Sequence, residues 1–189
     1  MTSFFDERAL GYLSSIPWCN ALLEDPAYVV LRGFPPRTPS RGTTCHTLTR
    51  DTLNTRTTMP AVVSLYKKPL EGNFIAEATV LVALGSDVNG HADTAHGGLV
   101  ATIMDECAGL IQRLSQTIGG DARCPIYTAY LNVRFKQPVK TPGVVAVDSK
   151  IVSMEGRKKK VLVQMKDQGR SVLAEAEALF VRSKEVAKM

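Results

Sequence analysis

A chain of 189 residues, 44% hydrophobic and 22% charged, holds enough apolar material for one domain with a real core, preceded by an N-terminal extension. No apolar run approaches the ~18 residues of a membrane-spanning helix, and the early acids Asp6 and Glu7 suit neither a secretory leader nor a mitochondrial presequence. The net charge of +5 is spread along the chain, which argues against a nucleic-acid binder and leaves a small polyanionic ligand open.

The cysteines, Cys19, Cys45, Cys107 and Cys124, are widely spaced and contain no Cys-x-x-Cys pair. They read as intracellular thiols rather than a disulfide framework. A cytoplasmic location is expected, with a mitochondrial one left open.

From Phe4 to Leu23 the spacing of Ala9, Leu10 and Leu13 predicts one or two helices, interrupted at Pro17. Ala27 to Leu31 is a short apolar stretch of undecided type. From Arg32 to Thr58 large apolar residues nearly vanish. That stretch reads as a long loop or linker whose arginines (Arg32, Arg37, Arg41, Arg50, Arg56) are solvated rather than phosphate-binding. Residues 1–58 are thus expected to be a helical extension and flexible linker, and 59–189 the main domain.

Strand patterns then begin. Ala61 to Tyr66 is the first and Leu70-Glu71-Gly72-Asn73 a turn. Phe74 to Leu84 follows, with Phe74, Ala76, Ala78, Val80 and Val82 on one face. The loop Gly85 to Ala95 enters a helix from Gly97 to about Gln116, stopped by Gly119-Gly120. Four runs follow: Ile126 to Phe135, Val144 to Ser153, Lys159 to Lys166 and Ser171 to Arg182. Their short turns predict a four-strand meander. The expected class is α+β, an antiparallel sheet of about six strands covered by one long helix.

The chemistry concentrates in Asn89 to Leu114. Leu99, Ile103, Leu110, Ile111 and Leu114 form an apolar stripe, widened by Val100, Met104 and Cys107. Cys107 is therefore expected in the core and not as a nucleophile. At about 100° per residue, Asp105 falls opposite the stripe beside Ala101, Gly109 and Gln112. It is either part of an ordinary polar face, in a salt bridge to a strand, or catalytic. Gly97 and Gly98 either permit a tight helix entry or bring bare N–H groups to a substrate carbonyl as an oxyanion hole. His96 suits a helix cap or a support for the glycine turn. His91, Asp93 and His96 match no trusted metal spacing, so no metal is expected.

Gly98 and Asp105 stand seven residues apart, or about 10.5 Å along a helix. That is too far for one chain's pair to serve a single carbonyl through a shared water. If both are catalytic, the enzyme is a dimer with shared sites. On the next strand, alternation puts Tyr127, Ala129, Leu131, Val133 and Phe135 on one face and Thr128 on the other with Tyr130, Asn132 and Arg134. Thr128 is either a β-branched strand former or a hydroxyl that orients water.

His96-Gly97-Gly98, followed by Leu-Val-Ala-Thr-Ile-Met-Asp105, resembles the hotdog-fold acyl-CoA thioesterases of the phenylacetate-pathway type. The stretches Thr128 to Pro138 and Val152 to Lys158 resemble most closely the branch called thioesterase superfamily members. The resemblance covers about Ala61 to Arg182. It implies a curved antiparallel sheet around the helix, a homodimer or dimer of dimers, and hydrolysis of a fatty or aromatic acyl-CoA with no metal or cofactor. Carried over by motif position, the Gly98 N–H polarises the thioester carbonyl while Gly97 and His96 shape the hole. Asp105 of the other subunit activates water or attacks directly, and Thr128 holds the water or the carboxylate. Arg157, Lys158 and Lys136 meet the phosphates of CoA. Many relatives carry asparagine six residues before the histidine. Here that position is Gly90, with Asn89 beside it. A hotdog hydratase or a non-catalytic acyl-CoA-binding protein are the competing readings.

Overall fold

The computed structural model describes residues 6–31, 34–37, 44–72, 74–119 and 125–184, the side chains of 116–119 excepted. Arg32, Arg41, Asn73, Gly120 and Cys124, named above, lie outside the described residues.

The N-terminal helical pattern resolves into α1 (Glu7–Ser14) and α2 (Pro17–Leu23). Asp6 caps α1 by accepting from the Ala9 N–H at 2.9 Å, and Pro17 opens α2 at its first position, where its missing N–H costs nothing. Tyr28–Val30 is a strand, β1. Next come β2 (Val62–Lys67), β3 (Glu77–Leu84), the short pair β4 (Asn89–His91) and β5 (Thr94–Ala95), and the helix α3 (Gly97–Gly119). The chain closes with β6 (Ile126–Phe135), β7 (Gly143–Glu155), β8 (Lys158–Lys166) and β9 (Val172–Arg182).

The main sheet has seven antiparallel strands in the order β1-β2-β3-β7-β8-β9-β6. This corrects the expected meander. Leaving α3, the chain lays β6 along the far edge against β9, and β7 then returns to the centre beside β3. The loop 136–142 that makes this crossing is no tight hairpin. It is pinned over β4 and β5, where Ala95 donates to the Val139 carbonyl at 2.9 Å and Thr141 to that of Asp93 at 3.1 Å.

Both sheet faces are covered around β3. Its Ala78, Val80, Val82 and Leu84 face α3, packed with Val100, Ile103, Met104, Cys107, Leu110 and Ile111. Its Leu81 and Ala83 face the other way, under Ala9, Leu13 and Cys19 of α1 and α2. Each large apolar side chain fully buried there contributes about 1.5–3 kcal/mol. Cys107 sits inside the core at 1% exposure, and burial pushes its thiol far above the ordinary range. It is packing, not a nucleophile.

The arginine-rich stretch is not a uniformly solvated linker where it is described. Arg37 is buried and donates to the carbonyls of Thr49, Leu53 and Met59. Burial lowers its pKa to about 10. A guanidinium with several donors can collect carbonyls that no strand satisfies, and it ties residues 34–37 to residues 49–59 beside Phe34 and Met59 of the core.

Candidate functional site

The helix start is a capped turn. His96 precedes α3, its carbonyl accepts the Val100 N–H at 3.1 Å, and its ring Nδ1 accepts the Gly98 N–H at 2.9 Å. A ring nitrogen that accepts carries no proton, so the neutral imidazole holds its proton on Nε2. The N–H expected to polarise a carbonyl is thus engaged by the neighbouring ring in the free chain. His96 is the helix cap. Gly90 makes room for it, since a Cβ at position 90 would lie 3.0 Å from both Cα and the ring Cδ2 of His96. The side-chain oxygen of Asn89 accepts instead from the Thr141 hydroxyl, tying β4 to the crossing loop.

The middle of α3 carries the other half. Asp105 Oδ1 accepts from Thr128 Oγ1 at 2.9 Å. Simple alternation along β6 puts Thr128 on the wrong side for this contact. The ladder with β9 explains the reversal: Thr128 opposes Phe180, but Tyr130 opposes Leu179, so Ala129 is an extra, bulged residue. A bulge shifts the side-chain parity by one. Thr128 therefore shares the helix-facing side with Leu131 and Val133, while Tyr130 stays outside and donates to Glu177 at 2.6 Å. The predicted company of Thr128 with Tyr130, Asn132 and Arg134 is corrected by that one residue.

Glu106, next to Asp105 on α3, faces the N-terminal segment. Its carboxylate lies 3.9 Å from Arg113 and 4.0 Å from His46. Burial raises its pKa, with Arg113 opposing and Asp105 adding to the rise. It docks the segment 44–53 on the helix.

The basic residues do not converge within one chain. Lys136 follows β6 and pairs with Glu175 at 3.0 Å. Arg157 and Lys158 are exposed at the β7–β8 turn, where Arg157 donates to the Arg182 carbonyl at 2.8 Å. Phe135 pairs with Ala174 and Lys158 with Val181, opposite ends of β9 and roughly 23 Å apart at strand spacing. Gly97 belongs to the Lys136 end, because a Cβ there would touch the Phe135 ring at 3.5 Å. Thr128 and Asp105 belong to the Arg157 end. One chain thus holds the capped helix start at one place and the carboxylate–hydroxyl pair at another.

Two cavities matter. The larger, about 620 Å³, lies on the sheet face away from α3 and includes Asp148, Lys166, Arg170 and Glu175. Its charges already pair with one another, Lys166 to Asp148 at 2.9 Å and Arg170 to Asp148 at 3.3 Å. The smaller, about 250 Å³, is lined by Gln112, Ser115, Ile126, Lys159 and Phe180 among others. Its Ile126 stands two residues before Thr128, on the Asp105 side of β6. Sequence patterning marked Gln112 only as a neighbour of Asp105 and missed Lys159. The missed signal was a lysine inside an otherwise apolar strand face.

An antiparallel sheet laid against one long helix, with a His-Gly-Gly start and an aspartate two turns on, is a hotdog fold. Residues 92–174 match the family model of the thioesterase superfamily. The acyl-coenzyme A thioesterase THEM4 of Xenopus laevis is 34% identical over 52% of this chain and 41% of its own length. The rat protein of the same name is 34% identical over 52% and 40%. The chain thus spans about two-fifths of these curated relatives. A crystallised thioesterase superfamily protein, 25% identical, superposes over 65% of this chain and 56% of its own, with a TM-score of 0.52. The PaaI protein of the E. coli phenylacetic acid degradation operon shares the fold at 10% identity, over 59% and 76%, with a TM-score of 0.51.

Proposed function

We propose that this protein hydrolyses acyl-CoA thioesters in a homodimer, each site built from the α3 start of one protomer and the Asp105–Thr128 pair of its partner. The observation that carries the reading is the 2.9 Å bond from Thr128 to Asp105, set up by a bulge on the edge strand of a thioesterase-superfamily domain. The hydroxyl fixes one carboxylate oxygen and leaves the other to act. Asp105 takes a proton from water as the water oxygen bonds the thioester carbon. The negative charge develops at the helix start, where His96 Nε2–H and the first-turn N–H groups supply donors. The C–S bond then breaks and the CoA thiolate takes the proton. Gly98 joins the donors when the His96 ring turns aside. Arg157 and Lys158, unpaired by any acid on their own turn, suit the CoA phosphates.

The engagement of the Gly98 N–H by His96 favours a second reading, a non-catalytic acyl-CoA-binding protein. Thiol release from a panel of acyl-CoAs separates the two. Asp105→Asn is expected to lower kcat by about 10²–10⁴ with an unchanged melting curve. Full activity in that variant sinks the mechanism, and binding without turnover in the wild type selects the second reading.

A further inference from the structure

The 250 Å³ cavity has a polarity that the hydrolysis of a plain fatty chain does not need. Exposed Phe74 and Met154 stand at its rim, at 43% and 54% exposure, and Ile126 and Phe180 wall it. At the base lies Gln112, 1% exposed, whose side-chain Nε2 and Oε1 find no hydrogen-bond partner among the described residues. A buried amide with both ends unpaired is rare unless something else completes it. Beside it Lys159 donates from Nζ to Ser115 Oγ at 3.0 Å, which uses one of its three donors. Arg182 adds positive charge, and among the described residues that line the cavity none is acidic.

The cavity adjoins the proposed catalytic pair along two elements. On α3, Asp105, Gly109 and Gln112 follow one another down the same side, and a Cβ added at Gly109 would meet nothing within 4 Å. On β6, Ile126 and Thr128 share a face. The space beside Gly109 thus lies between the carboxylate and the amide, which stand seven helical residues, about 10.5 Å, apart.

We propose that this cavity is the acyl pocket, and that Gln112, Ser115 and Lys159 at its base select an acyl group ending in a carboxylate. The preferred substrates are then CoA monothioesters of short dicarboxylic acids. At roughly 30 Å³ for each water-sized group, the space holds about eight such groups. That suits the four methylenes and terminal carboxylate of an adipoyl chain. Lys159 and the Gln112 amide donate to the carboxylate in charge-assisted bonds, and burial favours this because an unmatched methyl end leaves the amide and ammonium unpaired. Burial, with Arg182 second, already lowers the Lys159 pKa, and an anion beside it relieves that cost. The proposal rests on the thioesterase reading for its substrate and on the cavity for its selectivity.

The test compares adipoyl-CoA with hexanoyl-CoA, which share chain length and CoA, by thiol release in the wild type and by calorimetric binding to Asp105→Asn. The expected result is a preference for adipoyl-CoA of about tenfold or more in both kcat/KM and Kd. In Lys159→Met and Gln112→Leu that ratio falls toward one through loss on adipoyl-CoA. Selective binding without turnover overturns hydrolysis and keeps the pocket. Turnover of hexanoyl-CoA equal to adipoyl-CoA overturns the pocket and keeps hydrolysis. Equal weakening of both substrates by Lys159→Met assigns the cations to CoA phosphate and overturns the proposal, and failure to bind either substrate overturns both readings.

Discussion

A single hydroxyl decides how Asp105 is presented. Thr128 Oγ1 reaches Oδ1 at 2.9 Å, and a valine there keeps the shape and the strand preference while removing the donor. Thr128→Val is therefore expected to fold normally and to lose about tenfold in kcat with little change in KM, whereas Thr128→Ser keeps most of the activity; steady-state kinetics with one acyl-CoA checks both. If valine costs nothing, the hydroxyl neither orients the carboxylate nor the water. The residue type at 128 was legible in the sequence and its direction was not. Alternation is a rule about unbroken strands, and the extra residue at Ala129 is set by the pairing of β6 with β9, which no local pattern records. The His96 cap was legible because its cause is local: a polar ring two residues before the N–H it satisfies. The role of Gly90 was not, since it depends on a close approach between β4 and the helix start.

Elements with one strong periodicity were readable, and those defined by their partners were not. The stripe on α3 predicted its buried side because 3.6-residue spacing survives any packing partner. Tyr28–Val30 is too short to declare itself and becomes a strand only by pairing with Leu65, Tyr66 and Lys67 of β2. The N-terminal helices likewise have a fixed place. Ala9, Leu13 and Cys19 cover Ala61, Val63, Leu65, Leu81 and Ala83 on the sheet face opposite α3. A fragment 59–189 would expose that apolar face and lose the Arg37 anchor to Met59. We expect it to melt at least about 10 °C below the full chain or to aggregate, since removing several buried contacts costs a few kcal/mol and each kcal/mol shifts Tm by about 2–8 °C for domains of this size range. A soluble fragment with an unchanged melting point would instead establish 1–58 as an independent extension.

At the scale of the whole molecule, the distribution of parts is an argument about stoichiometry. The capped helix start lies with Phe135 and Lys136 at one end of β6, and Asp105 lies with Thr128 at the other. β6 is a sheet edge that leaves Tyr127 and Phe135 at 64% and 57% exposure, an arrangement open to a second copy. In the proposed homodimer, a two-fold axis beside α3 would bring each half-site to its complement. Two inactive variants test this directly. Asp105→Asn removes the proposed base, and Gly98→Pro removes a first-turn N–H that no intrahelical bond uses while displacing the His96 ring, whose Nδ1 would lie 3.0 Å from the added Cβ. Each alone is expected to be inactive. After the two are mixed and allowed to exchange subunits, half the dimers are mixed, and each mixed dimer contains one site with both intact halves. Activity should return to roughly a quarter of the wild-type value per protomer. A site contained within one chain gives no recovery at any mixing ratio, because every protomer then carries its own defect. Recovery to a quarter with neither variant active alone can arise only from sites completed across the interface.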